Sequence, residues 1–131
     1  MSKSKENMKI LAVEDSEVDL EILESILTQL GFQDIIKARN GMEAVHLAKE
    51  QHPDLIISDI MMPGMDGGEM RKHLKNNHST MQIPVIFASS IIEKNEEKEF
   101  GGRLVGEEWL VAKPYSVEEI SKAIDAILST K

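Results

Sequence analysis

The chain has 131 residues, with 15 Lys and Arg against 23 Asp and Glu, a formal net charge of −8. That length suits one domain with a single core, and the acidic balance argues against a nucleic-acid binder, because phosphate contacts need clustered Lys and Arg. The absence of Cys excludes disulfides, thiolate metal sites and Cys nucleophiles, and no apolar run approaches the roughly 20 residues of a membrane span.

Met1 to Met8 is polar, lacks the apolar core of a signal peptide, and reads as a flexible lead-in (1–8) to one domain over 9–131. Lys9 to Val13 (KILAV) is a short apolar run suited to a strand buried on both faces. Glu14, Asp15 and Ser16 interrupt it. A helix pattern follows, with Val18, Ile22, Leu23, Ile26, Leu27 and Leu30 in one stripe and Gly31 where a C-terminal cap belongs. Asp34 to Ala38 reads as a second strand. Asn40 can cap a second helix running to about Gln51, with Val45 and Ala48 inward, and His52-Pro53 ends it.

Leu55 to Ser58 is the third strand, ending at Asp59. The turn-rich loop Met61-Met62-Pro63-Gly64-Met65-Asp66-Gly67 comes next. A third helix is expected from about Gly67 to Asn76, weakened at its start by Gly67 and Gly68. Ile83 to Ala88 is the fourth strand, with Pro84 near its start. From Ile91 to Gly106 the expectation is one short helix and then a loop, since Gly101, Gly102 and Gly106 break any long helix. Trp109 to Ala112 is the fifth strand, stopped by Lys113-Pro114. Ser116 and Glu119 make a capping-box signal, and Ile120, Ile124, Ile127 and Leu128 give the last helix its apolar face.

Five short apolar strands alternating with five helical segments imply an α/β fold, a doubly wound parallel sheet covered by helices on both faces. Ligands in such sheets sit beyond the carboxyl ends of the strands. The expected residues there are Glu14 and Asp15, Asp59, Ser89 and Ser90, and Lys113. Two like charges 4 Å apart repel by roughly 4 kcal/mol at an effective dielectric near 20, so three clustered carboxylates need an offset. Lys113 supplies one positive charge, and hard oxygen ligands favour Mg²⁺ for more. A carboxylate, a hydroxyl, an ammonium and Mg²⁺ together suit a phosphoryl group, with the carboxylate as acceptor. No Gly-rich phosphate loop accompanies them.

KILAVEDS (Lys9 to Ser16), DLIISDIMMPGMDG (Asp54 to Gly67), IPVIFASS (Ile83 to Ser90) and VAKPY (Val111 to Tyr115), in this order, resemble the receiver domain of two-component response regulators, including the stand-alone chemotaxis type. The resemblance spans about Lys9 to Leu128. It implies the flavodoxin-like strand order 2-1-3-4-5. It also implies Asp59 as the phosphoryl acceptor, Asp15 and Asp59 as Mg²⁺ ligands with the Met61 backbone carbonyl, and Glu14 acting through water. Ser89 becomes the switch hydroxyl and Lys113 the ammonium that pairs with the phosphoryl group. Met61 and Ser90 flank the acceptor site and should influence hydrolysis of the acyl phosphate. The family often carries Tyr or Phe three residues before the Lys; here that position is Leu110, preceded by Trp109. The Lys113-Pro114 bond is expected to be cis.

The implied activity is transfer of a phosphoryl group from a phosphohistidine, on a sensor histidine kinase or a histidine phosphotransfer protein, to Asp59. The domain would then switch its affinity for a downstream partner, as a cytoplasmic signalling module and not an enzyme in the ordinary sense. It would make no direct nucleic-acid contact and no membrane insertion. Two other readings compete. A phosphorylation-independent interaction module is kept open by Leu110. A phosphatase of the haloacid dehalogenase type would want a second Asp where Met61 stands. Taken singly, the residues have simpler roles: Glu14 and Asp15 as acids in a first helical turn, Asp59 in a turn, Ser89 at a strand end, and Lys113, Glu17, Asp19, Glu21 and Glu24 as solvated surface. His46, His52, His73 and His78 show no ligand spacing.

Overall fold

The computed structural model describes residues 4–90, 103–105 and 108–129. Its elements run β1 (Lys9–Val13), α1 (Glu17–Gln29), β2 (Asp34–Ala38), α2 (Gly41–Gln51), β3 (Leu55–Asp59), α3 (Gly67–Lys75), β4 (Val85–Ser89), β5 (Arg103–Val105), β6 (Glu108–Ala112) and α4 (Val117–Ser129). One sheet joins all the strands in the order β2-β1-β3-β4-β6-β5. The first five of these are parallel neighbours, which is the expected 2-1-3-4-5 order counted over parallel strands.

Alternation along each strand divides the core between the two faces of the sheet. Ile10, Ala12, Leu55, Ile57, Ile86 and Val111 pack with α1 and α4. Leu11, Val13, Ile56, Val85 and Phe87 pack with α2 and α3. β2 lies at one edge of the sheet, as expected, and is more exposed than β1, β3 and β4.

Side-chain oxygens start the helices. Ser16, Asn40 and Asp66 cap α1, α2 and α3 by accepting from the N–H groups of Asp19, Glu43 and Glu69. Ser116 Oγ accepts from Glu119 N–H at 3.1 Å at the start of α4. After α1, Gly31 takes φ +105°, the left-handed region open to glycine.

Several expectations need correction. The stripe on α1 buries Leu20, Leu23, Ile26 and Leu27, while Val18 and Ile22 are exposed. β4 begins at Val85, so Pro84 precedes the strand, and its carbonyl accepts from Ile56 N–H at 3.0 Å. Within the segment expected as a short helix and loop, 103–105 is instead a strand. It pairs antiparallel with β6, Val105 opposite Glu108, with only two residues between them in the chain. A three-residue run carries too little periodicity to show beforehand. The helix expected between Ile91 and Gly106 otherwise lies outside the described residues, so four helices are described. Of the lead-in, residues 4–8 turn back on the fold. Asn7 N–H donates to Ser4 O, Lys5 Nζ donates to Leu30 O at 3.1 Å, and Met8 is buried in the core. No described helix is long and apolar enough to cross a membrane.

Candidate functional site

The carboxyl ends of β1, β3, β4 and β6 meet at one edge of the sheet. Glu14 and Asp15 follow β1, Asp59 closes β3, Ser89 closes β4 and Lys113 follows β6. Backbone bonds carry the ladder beyond the strands here. Glu14 N–H donates to Ala38 O, Ile60 N–H to Ala88 O and Lys113 N–H to Ser89 O, each at 3.0 Å. The Lys113–Pro114 bond is cis, as expected.

One carboxylate oxygen from each of Glu14, Asp15 and Asp59 lies within 4.8 Å of the others. Glu14 is fully buried, Asp59 nearly so, and Asp15 is exposed. Asp59 is held at both oxygens. Met61 N–H donates to Oδ1 at 3.3 Å and Lys113 Nζ to Oδ2 at 3.2 Å. Gly67 N–H donates to Ile60 O at 2.9 Å and closes the loop after Asp59.

Lys113 Nζ is the hub. It lies 3.1 Å from Glu14 Oε1, 3.0 Å from Asp19 Oδ2 and 3.2 Å from Asp59 Oδ2, with its side chain almost wholly covered. Burial works against its charge, but the hydrogen bonds it donates to Asp19 and Glu14 and the nearby carboxylates outweigh it, so its pKa stands above the ordinary lysine value. Burial pushes the Glu14 carboxyl up to about 7, against the lowering effect of Tyr115 and Lys113. The Tyr115 hydroxyl donates to Glu14 Oε2 and is raised by burial and then by the Glu14 charge. Both Glu14 oxygens are therefore engaged by the protein.

Ser89 is buried and Ser90 exposed. Trp109 and Leu110 stand opposite Ile86 and Phe87 of β4 and pack on different faces of the sheet, Trp109 with the α1/α4 core and Leu110 with the α2/α3 core. Met61 is 59% exposed, and Met65 lines a cleft with Asp15, Arg39 and Met42 beside the acid cluster.

Two residues of the site went unassigned in the sequence. From the sequence alone Asp19 reads as one of the solvated surface acids, and nothing marks Tyr115. The signal for Asp19 was its spacing, three residues past the Ser16 cap, which turns it toward the sheet edge. That for Tyr115 was its place two residues after Lys113.

The donor set is all oxygen and carries more negative charge than one ammonium neutralises. Asp15 leaves one side open to solvent. These residues fit a hard divalent cation.

The profile of the response regulator receiver domain matches residues 10–125. The polar-differentiation response regulator DivK of Brucella ovis is 34% identical over 119 residues, which cover 91% of this chain and 94% of the relative. A crystal structure of a response regulator from Desulfuromonas acetoxidans is 34% identical with a TM-score of 0.76, covering 94% of this chain and 98% of its own. The signal receiver domain of a signal transduction histidine kinase from Syntrophus aciditrophicus is 33% identical with a TM-score of 0.76, covering 94% and 91%.

Proposed function

Since the chain belongs to the response regulator receiver family, we propose that it accepts a phosphoryl group on Asp59 from a phosphohistidine and thereby changes its affinity for a partner. The reading rests on one observation above all: at the end of β3 the Asp59 carboxylate meets the Lys113 ammonium and lies in one cluster with the acid pair Glu14 and Asp15. An Asp59 oxygen forms a P–O bond as the N–P bond of the donor breaks, and the imidazole nitrogen keeps the electron pair. Lys113 offers its ammonium to the arriving phosphoryl oxygens, and the Ser89 hydroxyl donates to another. A bound Mg²⁺, held by Asp15, Asp59 and the Met61 carbonyl with Glu14 through water, would neutralise charge on the transferring group. Water later cleaves the acyl phosphate in the same site, at a rate that Met61 and Ser90, both solvent-exposed, help to set.

The unit proposed to do this is 9–131. Its donor is a sensor histidine kinase or a histidine phosphotransfer protein, and its reader is a downstream protein or output domain. Ser90, Trp109 and Leu110 form the region through which the change is passed on. The proposed location is the cytoplasm, in keeping with a chain that has no Cys. A phosphatase of the haloacid dehalogenase type is not supported, because Met61 occupies the place of its general acid. The test is incubation with acetyl phosphate and Mg²⁺ followed by intact mass. The expected result is one phosphoryl group on the wild type and none on Asp59→Asn. An unmodified wild type, or equal modification of both, would sink the reading.

A further inference from the structure

Asp19 lies outside the residues given roles above. It sits in the first turn of α1, yet its Oδ2 is the nearest of the three carboxylates to Lys113 Nζ, at 3.0 Å. An ammonium has three N–H donors, and Glu14, Asp19 and Asp59 occupy them. A phosphoryl group on Asp59 would add further oxygens of higher charge, so one present partner must be given up. Exposure distinguishes the candidates: the side chains are 0% exposed for Glu14, 7% for Asp59 and 35% for Asp19. A buried carboxylate deprived of its cation cannot be rehydrated, whereas one within reach of solvent can.

Building on the phosphoacceptor reading, we propose that Asp19 is a positioning residue that holds the Lys113 ammonium in the unmodified protein and yields it to the phosphoryl oxygens. The pair ties the first turn of α1 to the segment after β6. Modification of Asp59 would then loosen that tie while Glu14 keeps its hold on Lys113. Asp19 is thus a competitor of the phosphoryl group as well as an anchor of the lysine.

Beryllofluoride with Mg²⁺, a phosphoryl mimic, gives the test by calorimetric titration. Asp19→Asn keeps the shape and removes the competing charge, so it should bind the mimic roughly fivefold more tightly than wild type. In a Lys113→Met background the same substitution should change nothing. A residue with a merely structural role would leave affinity unchanged or weaken it. A second readout needs no mimic: in metal-free protein, urea midpoints of Asp19→Asn, Lys113→Met and the double variant should show favourable coupling. Absence of coupling, or an Asp19→Asn affinity no tighter than wild type, would overturn the Asp19 proposal alone. Failure of the wild type itself to bind the mimic would overturn the phosphoacceptor reading and the Asp19 proposal with it.

Discussion

Gly67 and Gly68 are adjacent, both in the first turn of α3, and should respond to alanine in opposite directions. A Cβ on Gly67 would come within 2.9 Å of Phe87 Cε1, 3.0 Å of Asp59 O and 3.0 Å of Ile60 Cα. Two of these are backbone atoms, and the third belongs to a buried ring, so nothing nearby can yield cheaply. A Cβ on Gly68 meets only Asp66 Oδ1 at 3.4 Å, an ordinary contact. Overpacking costs about 1–3 kcal/mol, while Gly to Ala at a compatible helical position gains about 0.4–1 kcal/mol. The net expectation is a loss of about 1–2 kcal/mol for Gly67→Ala and a gain of about 0.5 kcal/mol for Gly68→Ala. Urea denaturation reads both as shifts of midpoint at constant slope. Gly67→Ala should also slow phosphorylation by acetyl phosphate, since the added methyl presses on the Asp59 carbonyl. The reasoning fails if Gly67→Ala is as stable as wild type, or if the two variants lose stability alike.

Tyr115→Phe removes the hydroxyl that donates to buried Glu14 and should cost about 1–2 kcal/mol in urea denaturation; a neutral result would mean that Glu14 does not depend on it. In metal-free protein, the Glu14 carboxyl titrates near 4.5 when unfolded and about 7 when folded, so the folded state holds the extra proton between these values. Its contribution is fully present below pH 4.5 and is lost as pH rises to 7, by an amount on the order of 3 kcal/mol. Glu14→Gln should flatten that part of a stability–pH curve, and an unchanged slope would assign it to another group. Asn40→Ala removes the cap that accepts from Glu43 N–H at 2.8 Å and should cost about 1 kcal/mol, measured as a midpoint shift.

β1 and β2 were legible to the residue because short apolar runs lie between strong turn signals, and their bounds in the structure are those read from the sequence. On α1, Val18 and Ile22 stand at helical spacing from Ile26, as do Leu20 and Leu23 from Leu27; periodicity alone gives two overlapping stripes, and packing on the sheet selects one. The short strand β5 was invisible because its stability comes from pairing with β6, a contact that no local pattern records. Asp59, Glu14, Asp15 and Lys113 could be grouped because strand topology sends all of them to one edge. Asp19 could not, because an acid in the first turn of a helix already has a sufficient local explanation in the helix dipole. Only the fold brings Lys113, 94 positions away in the chain, to meet it.

The bonds from Glu14, Ile60 and Lys113 to Ala38, Ala88 and Ser89 bear on time as well as place. They extend the parallel ladder into residues that would otherwise be loop. Amide protons bonded in this way exchange through opening of the sheet and not through local fraying. The amides of Ile60 and Lys113 should therefore rank with those of β3 and β4 in hydrogen–deuterium exchange, far slower than the exposed Asp15. Chemistry at this edge would then proceed on a backbone that stays fixed for minutes to hours, while the side chains above it rearrange far faster.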